Sequence, residues 1–156
     1  MALSANLGSL LAVKEGDIQA FTLGTGVATA GSIWRGGLVA IRLTDGKAYP
    51  AVDNIADTYK QFVVGYSLEH PITIGDKIPT IVRVRTNGHF RLKIAGVITA
   101  ADVGKLACLK DDETVQLYDL AKTKVVVGRI REVIDTTYVY VDLDIHHSRL
   151  ATGTYD

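Results

Sequence analysis

An all-β fold follows from three features of this chain. Apolar and polar residues alternate in short blocks, glycine or Asp-Gly separates many of the blocks, and one succession of blocks occurs twice. The expected architecture is a compact β-barrel or sandwich of two similar β-units, with at most short helical turns. Residues 1–15 are an N-terminal arm, 16–145 the β domain with pseudo-repeats at about 16–68 and 75–144, and 146–156 a C-terminal tail.

Taken in chain order, the strand candidates are Asp17–Leu23, Leu38–Leu43, Phe62–Ser67, Lys105–Leu109, Thr114–Tyr118 and Val125–Val133. Valine, isoleucine, threonine and tyrosine dominate them, residues that suit a pleated, half-buried surface. The clearest pattern is Ile81–Arg85, then Thr86-Asn87-Gly88-His89, then Phe90–Ile94. Asn-Gly supplies the positive φ angles of a tight turn, so these two blocks are expected to pair as a hairpin. A period of two puts Val82, Val84, Phe90, Leu92 and Ile94 on a core face and Arg83, Arg85, Arg91 and Lys93 on a basic one. In the closing block, Val139, Val141, Leu143 and Ile145 point inward, while Tyr138, Tyr140, Asp142 and Asp144 point out.

Helical signals are sparse. Thr99-Ala100-Ala101-Asp102 carries the start of a capped turn, which Gly104 ends. Leu3, Leu7, Leu10 and Leu11 fall on one helical stripe, but the segment is short and contains Gly8, too little for a free helix in water.

The repeat runs Gly16-Asp17-Ile18, Ala30-Gly31-Ser32-Ile33, Gly37–Ile41 and Val63-Val64-Gly65-Tyr66. It returns as Gly75-Asp76-Lys77-Ile78, Ala95-Gly96-Val97-Ile98, Gly104–Leu109 and Val126-Val127-Gly128-Arg129, at offsets of 59, 65, 67 and 63 residues. Small differences in loop length align the two copies.

The 156 residues suffice for one domain with a real core, and 47% apolar against 22% charged residues is a globular balance. Seventeen basic residues cancel seventeen acidic ones, without the basic excess that holding duplex DNA requires. No nucleic-acid or membrane partner is expected. Cys108 is the single cysteine, so no intrachain disulfide forms, and its apolar setting marks it as a small buried hydrophobe. The first residues read as a poor signal peptide, with no Lys or Arg before their short apolar run, and with no disulfide either the chain is expected to be made in a reducing cytoplasm.

No residue set stands out as catalytic, and neither enzyme activity nor a cofactor or metal is expected. The Gly24–Gly31 stretch lacks phosphate-loop spacing and reads as a mobile surface loop. His146 and His147 point to opposite faces on a strand and have no nearby third ligand. Asp111-Asp112-Glu113 has the look of a solvated turn between strands. Trp34, the only tryptophan, lies in a turn before Arg35-Gly36-Gly37 and is either a core or loop-anchoring ring or an interface anchor. The interface candidates are therefore Leu3, Leu7, Leu10, Leu11, Trp34, Arg83, Arg85, Arg91, Lys93, Tyr138, Tyr140, Asp142 and Asp144. The basic face is expected to meet an acidic surface, including Asp142 and Asp144 of the same or a neighbouring subunit.

The order of these blocks, with the Asp45-Gly46 turn leading into Ala48-Tyr49-Pro50-Ala51 and the late Val125–Gly128 and Val139–Leu143 strands, resembles the decoration (cement) proteins of tailed bacteriophage capsids. The resemblance implies a small β domain without an active site that trimerises on the capsid exterior and clamps neighbouring major capsid proteins. It implies assembly in the host cytoplasm, with the major capsid protein and its own copies as partners. Two other readings stand beside it: a phage tail or neck component, and a small β-barrel ligand-binding protein or enzyme with a pocket between the units.

Overall fold

Alternation decides which way each side chain faces, strands such as β2 and β4 bury both faces, and the chain builds two five-stranded units this way. The computed structural model describes residues 18–53, 61–118 and 125–143. The first unit contains β1 (Ile18–Thr22), β2 (Leu38–Arg42), β3 (Ala48–Pro50), β4 (Gln61–Ser67) and β5 (Ile81–Arg85), in spatial order β1-β5-β4-β2-β3. The second contains β6 (Gly88–Ala95), β7 (Leu106–Leu109), β8 (Thr114–Leu117), β9 (Val126–Val133) and β10 (Tyr138–Leu143), closed into a barrel in the order β10-β6-β8-β7-β9. The protein is all-β, with only single helical turns at Val27–Ala30 and Ala100–Asp102 among the described residues.

Started from β6, the barrel runs β6-β10-β9-β7-β8, which is the order of the first unit strand for strand. The details agree as well. β1 parallels β3 through a bridge between Leu23 and Ala48, where β6 pairs with β8 in parallel. The β2–β4 register slips between Val39 and Ala40, the β7–β9 register between Ala107 and Cys108. Gly36 donates its N–H to the Ser67 carbonyl at 2.7 Å, and Gly104 to the Ile130 carbonyl at 2.7 Å. Ala51 donates to Leu38 in the first unit, and Tyr118 to Leu106 in the second.

This matching corrects one pair in the sequence repeat. Gly75–Ile78 precedes the fifth strand of the first unit, whereas Ile18 opens its first strand, so those two segments are not equivalent. The change of sheet falls at Thr86-Asn87.

Inside the first unit, Leu23, Val27, Ile33, Val39, Ile41, Val64, Val82 and Val84 form one buried cluster. Leu38, Ala40, Ala51 and Val63 turn the other way and join Phe90, Leu92, Ile94, Leu109, Ile130, Val139, Val141 and Leu143 in a second cluster. Tyr66 meets Phe90 with ring centroids 4.3 Å apart, so the two units share a core. Cys108 is fully buried.

Two expectations are corrected, and a third holds. Ile81–Arg85 and Phe90–Ile94 do not pair as a hairpin: β5 is flanked by β1 and β4 on its two edges, leaving none for β6, which pairs with β10 and β8. The Asn87-Gly88 step serves a crossing between units, with Gly88 at φ 117°. The Gly24–Gly31 stretch is a helical turn with Val27 and Ala28 buried, not a bare surface loop. The capped turn at Thr99–Asp102 forms as a 3₁₀ turn with a complete capping box, Asp102 accepting from the Thr99 N–H at 2.8 Å.

Candidate protein-binding surface

The two units do not carry equal appendages, and the difference locates a surface. Four residues, 134–137, connect β9 to β10, but thirteen, 68–80, connect β4 to β5. The barrel closes with the short version, so most of the long one is not needed merely to join two strands. It carries Ile72, Ile74 and Ile78, the last two 70% and 65% exposed. A tight turn holds them: Ile74 and Lys77 exchange N–H to carbonyl bonds at 3.1 Å, with Gly75 at φ 57°.

The long connection is tied to the helical turn after β1. Thr73 donates its backbone N–H to the Ala28 carbonyl at 3.0 Å, and Ile72 lies where a Cβ on Gly31 would touch it at 3.1 Å. His70 donates Nδ1–H to the Ile33 carbonyl at 2.5 Å, which fixes its ring. Trp34 stacks on that ring with centroids 4.2 Å apart and planes 20° from parallel, and remains 63% exposed. An exposed tryptophan braced by a fixed neighbour loses little freedom on binding, a property of interface anchors.

Between this connection and β5 lies an open groove of about 400 Å³ with Pro71, Ile72, Ile74, Pro79 and Ile81 as its apolar lining. Glu69 and Arg83 close its rim. The Glu69 carboxylate accepts from the Arg83 N–H at 2.8 Å, Nε at 3.1 Å and Nη2 at 3.0 Å. Arg83 is largely exposed, so this pair contributes about 0–1 kcal/mol and acts mainly to orient the rim.

The structure disperses the single basic face expected from the sequence. Arg83 sits at the groove, and Arg85, half-buried, ends β5 opposite Tyr66. Arg91 and Lys93 belong to the barrel, where the Arg91 guanidinium lies 3.9 Å over the Tyr138 ring and Lys93 Nζ is 2.8 Å from Glu113. Asp142 does not meet these cations. It sits opposite His89 at 3.8 Å, while Arg91 and Lys93 face Tyr140 and Tyr138 across the β6–β10 ladder. Tyr138, Tyr140 and Asp142 are half-buried on the barrel's outer side, as alternation requires. Leu3, Leu7, Leu10, Leu11, Asp144 and the histidine pair lie outside the described residues.

Of the expected interface residues, Arg83 lines this groove and Trp34 stacks on His70 of its lining. His70 and the isoleucines of 68–80 were not anticipated. The matched repeat blocks end at Tyr66 and Arg129, before this connection, so their spacing carried no sign of it. No family model matches the chain, and no curated protein or solved structure matches it either.

Proposed function

We propose that the chain is a structural virion protein that binds the outer surface of a phage capsid and stabilises contacts between major capsid proteins, acting as a homotrimer. One observation supports the reading most. A fold that closes its second unit with four residues spends thirteen on the first, in a connection that leaves Ile74 and Ile78 in solvent and braces Trp34 through His70. Exposed, rigid apolar residues around an aromatic anchor are the makings of a protein interface. The shared core of the two units gives that surface a stiff base, as a clamp between subunits requires.

The test mixes purified chain with empty shells of the major capsid protein from the same genome, lacking this chain. Wild type should sediment with the shells and raise their unfolding temperature. An Ile74→Asp/Ile78→Asp variant should keep the far-ultraviolet spectrum of the wild type and stay in solution. Shells that ignore the wild-type chain overturn the proposal, and a stable hexamer by mass redirects it to a tail or neck ring.

A further inference from the structure

With one face on His70, the exposed remainder of the Trp34 indole borders a second concavity between the two units. This cleft, of about 460 Å³, is lined by Trp34, Arg35, Gly36, Gly37, Asp112 and Glu113. It is polar where the neighbouring groove is apolar. The β7–β8 turn enters it from the barrel side, held by a bond from the Leu38 N–H to the Asp112 carbonyl at 2.6 Å. A Cβ on Gly37 would lie 3.4 Å from Asp112 Oδ2, so the carboxylate packs directly against the Gly37 backbone.

The charges in this turn are unevenly satisfied. Glu113 is engaged by Lys93 at 2.8 Å, and Asp111 Oδ1 accepts the Glu113 N–H at 3.1 Å. Asp112 is half-buried, and among the described residues its carboxylate has no ion pair and no hydrogen bond to another side chain. Burial first, then the neighbouring Asp111 and Glu113 charges, push its carboxyl above the ordinary range. A cation beside it would relieve both penalties. Arg35 lines the same cleft yet makes no ion pair among the described residues.

We infer that this cleft receives a basic side chain, arginine or lysine, from the binding partner, held between the open indole face of Trp34 and the Asp112 carboxylate. An aromatic face and a carboxylate are the two features that recognise such a cation, one through the ring quadrupole and the other through charge-assisted hydrogen bonds. The proposed function supplies the identity of the partner, on which this inference rests. A partner fitting both concavities presents an apolar side chain to the Ile72–Ile74 groove and a cation next to it. Trp34 and His70 form the partition between the two.

Because Trp34 is the sole tryptophan, its fluorescence reports the cleft in the full chain. Capped arginine (N-acetyl-arginine methylamide) should change that fluorescence saturably, and capped norleucine should not. Asp112→Asn, which preserves shape, should weaken the arginine response about tenfold. Arg35→Ala removes the resident competitor and should leave the response intact or strengthen it. Equal responses to the two probes, or an Asp112→Asn chain as responsive as wild type, overturn the inference. So does a loss of response in Arg35→Ala. Shell binding separates this proposal from the preceding one. Shells that bind wild type and Asp112→Asn equally sink the cleft and spare the capsid reading; an Asp112-dependent arginine response without shell binding does the reverse.

Discussion

Gly65 and Gly128 hold the same position in the two units, each pressed against the carbonyl of the neighbouring strand. A Cβ at Gly65 would stand 1.9 Å from the Arg85 oxygen, and one at Gly128 would stand 2.1 Å from the Asp142 oxygen. The obstacle is backbone in both cases, so no side-chain rotation relieves it. Gly65 also has φ 153°, outside the range comfortable for other residues. Gly65→Ala and Gly128→Ala should each destabilise the chain by more than about 2 kcal/mol in denaturant unfolding. A substitution tolerated at either site would mean the strands approach less closely than described.

Replacing residues 68–80 with the four-residue connection 134–137 should leave a folded chain, because the barrel closes that way. The lost contacts of His70 and Thr73 make a cost of about 1–3 kcal/mol reasonable, offset in part by a shorter loop. Shell binding should disappear in the sedimentation assay. A chain that unfolds would show the connection to be structural, and one that binds normally would remove the groove from the interface.

Asp102 gives the barrel a signature at low pH. The Lys105 ammonium at 2.7 Å, with the Thr99 N–H and hydroxyl, lowers its carboxyl to about 2. A group depressed by folding contributes stability above its unfolded value, near 4, and loses it as pH falls through about 2. Asp102→Asn should flatten the unfolding curve between those pH values and lower the Tm at neutral pH by a few degrees. Wild type and variant should converge at the acid end. Identical pH profiles would show that the capping box contributes nothing.

The Tyr66–Phe90 contact couples the units and lends itself to a double-mutant cycle. Tyr66→Leu and Phe90→Leu should together cost less than the sum of the single changes, with a coupling of about 0.5–1.5 kcal/mol. Strict additivity would mean that the rings are neighbours without energetic contact.

Most of the fold was legible because alternation is a local signal. Val139, Val141 and Leu143 were assigned inward from the pattern alone, and all are buried. Pairing is not local, which is why the Asn87-Gly88 step misled. A positive-φ glycine permits a hairpin, but a hairpin also needs a free edge, and β5 has none left. β3, only Ala48–Pro50, was too short to register as a strand. The binding surface was half legible. Trp34 drew notice as the lone tryptophan, whereas His70 is 36 positions away in the chain and becomes its neighbour only through the fold. Arg91 and Lys93 were expected to meet an acidic surface, but nothing local indicated Tyr138 or Glu113 as their companions.

The sharing of one core between two units also governs the order of events while the chain is being made. Synthesis completes all five strands of the first unit when Arg85 emerges, before any strand of the second exists. At that moment Leu38, Ala40, Ala51 and Val63 have lost their intended cover, since the residues that bury them are still untranslated. The nascent chain must then wait for β6 to find β10, a pairing across some fifty residues and slow to form for that reason. The half-made protein is stickiest at the stage when its first sheet is already complete, and there a ribosome-bound chaperone has most to protect.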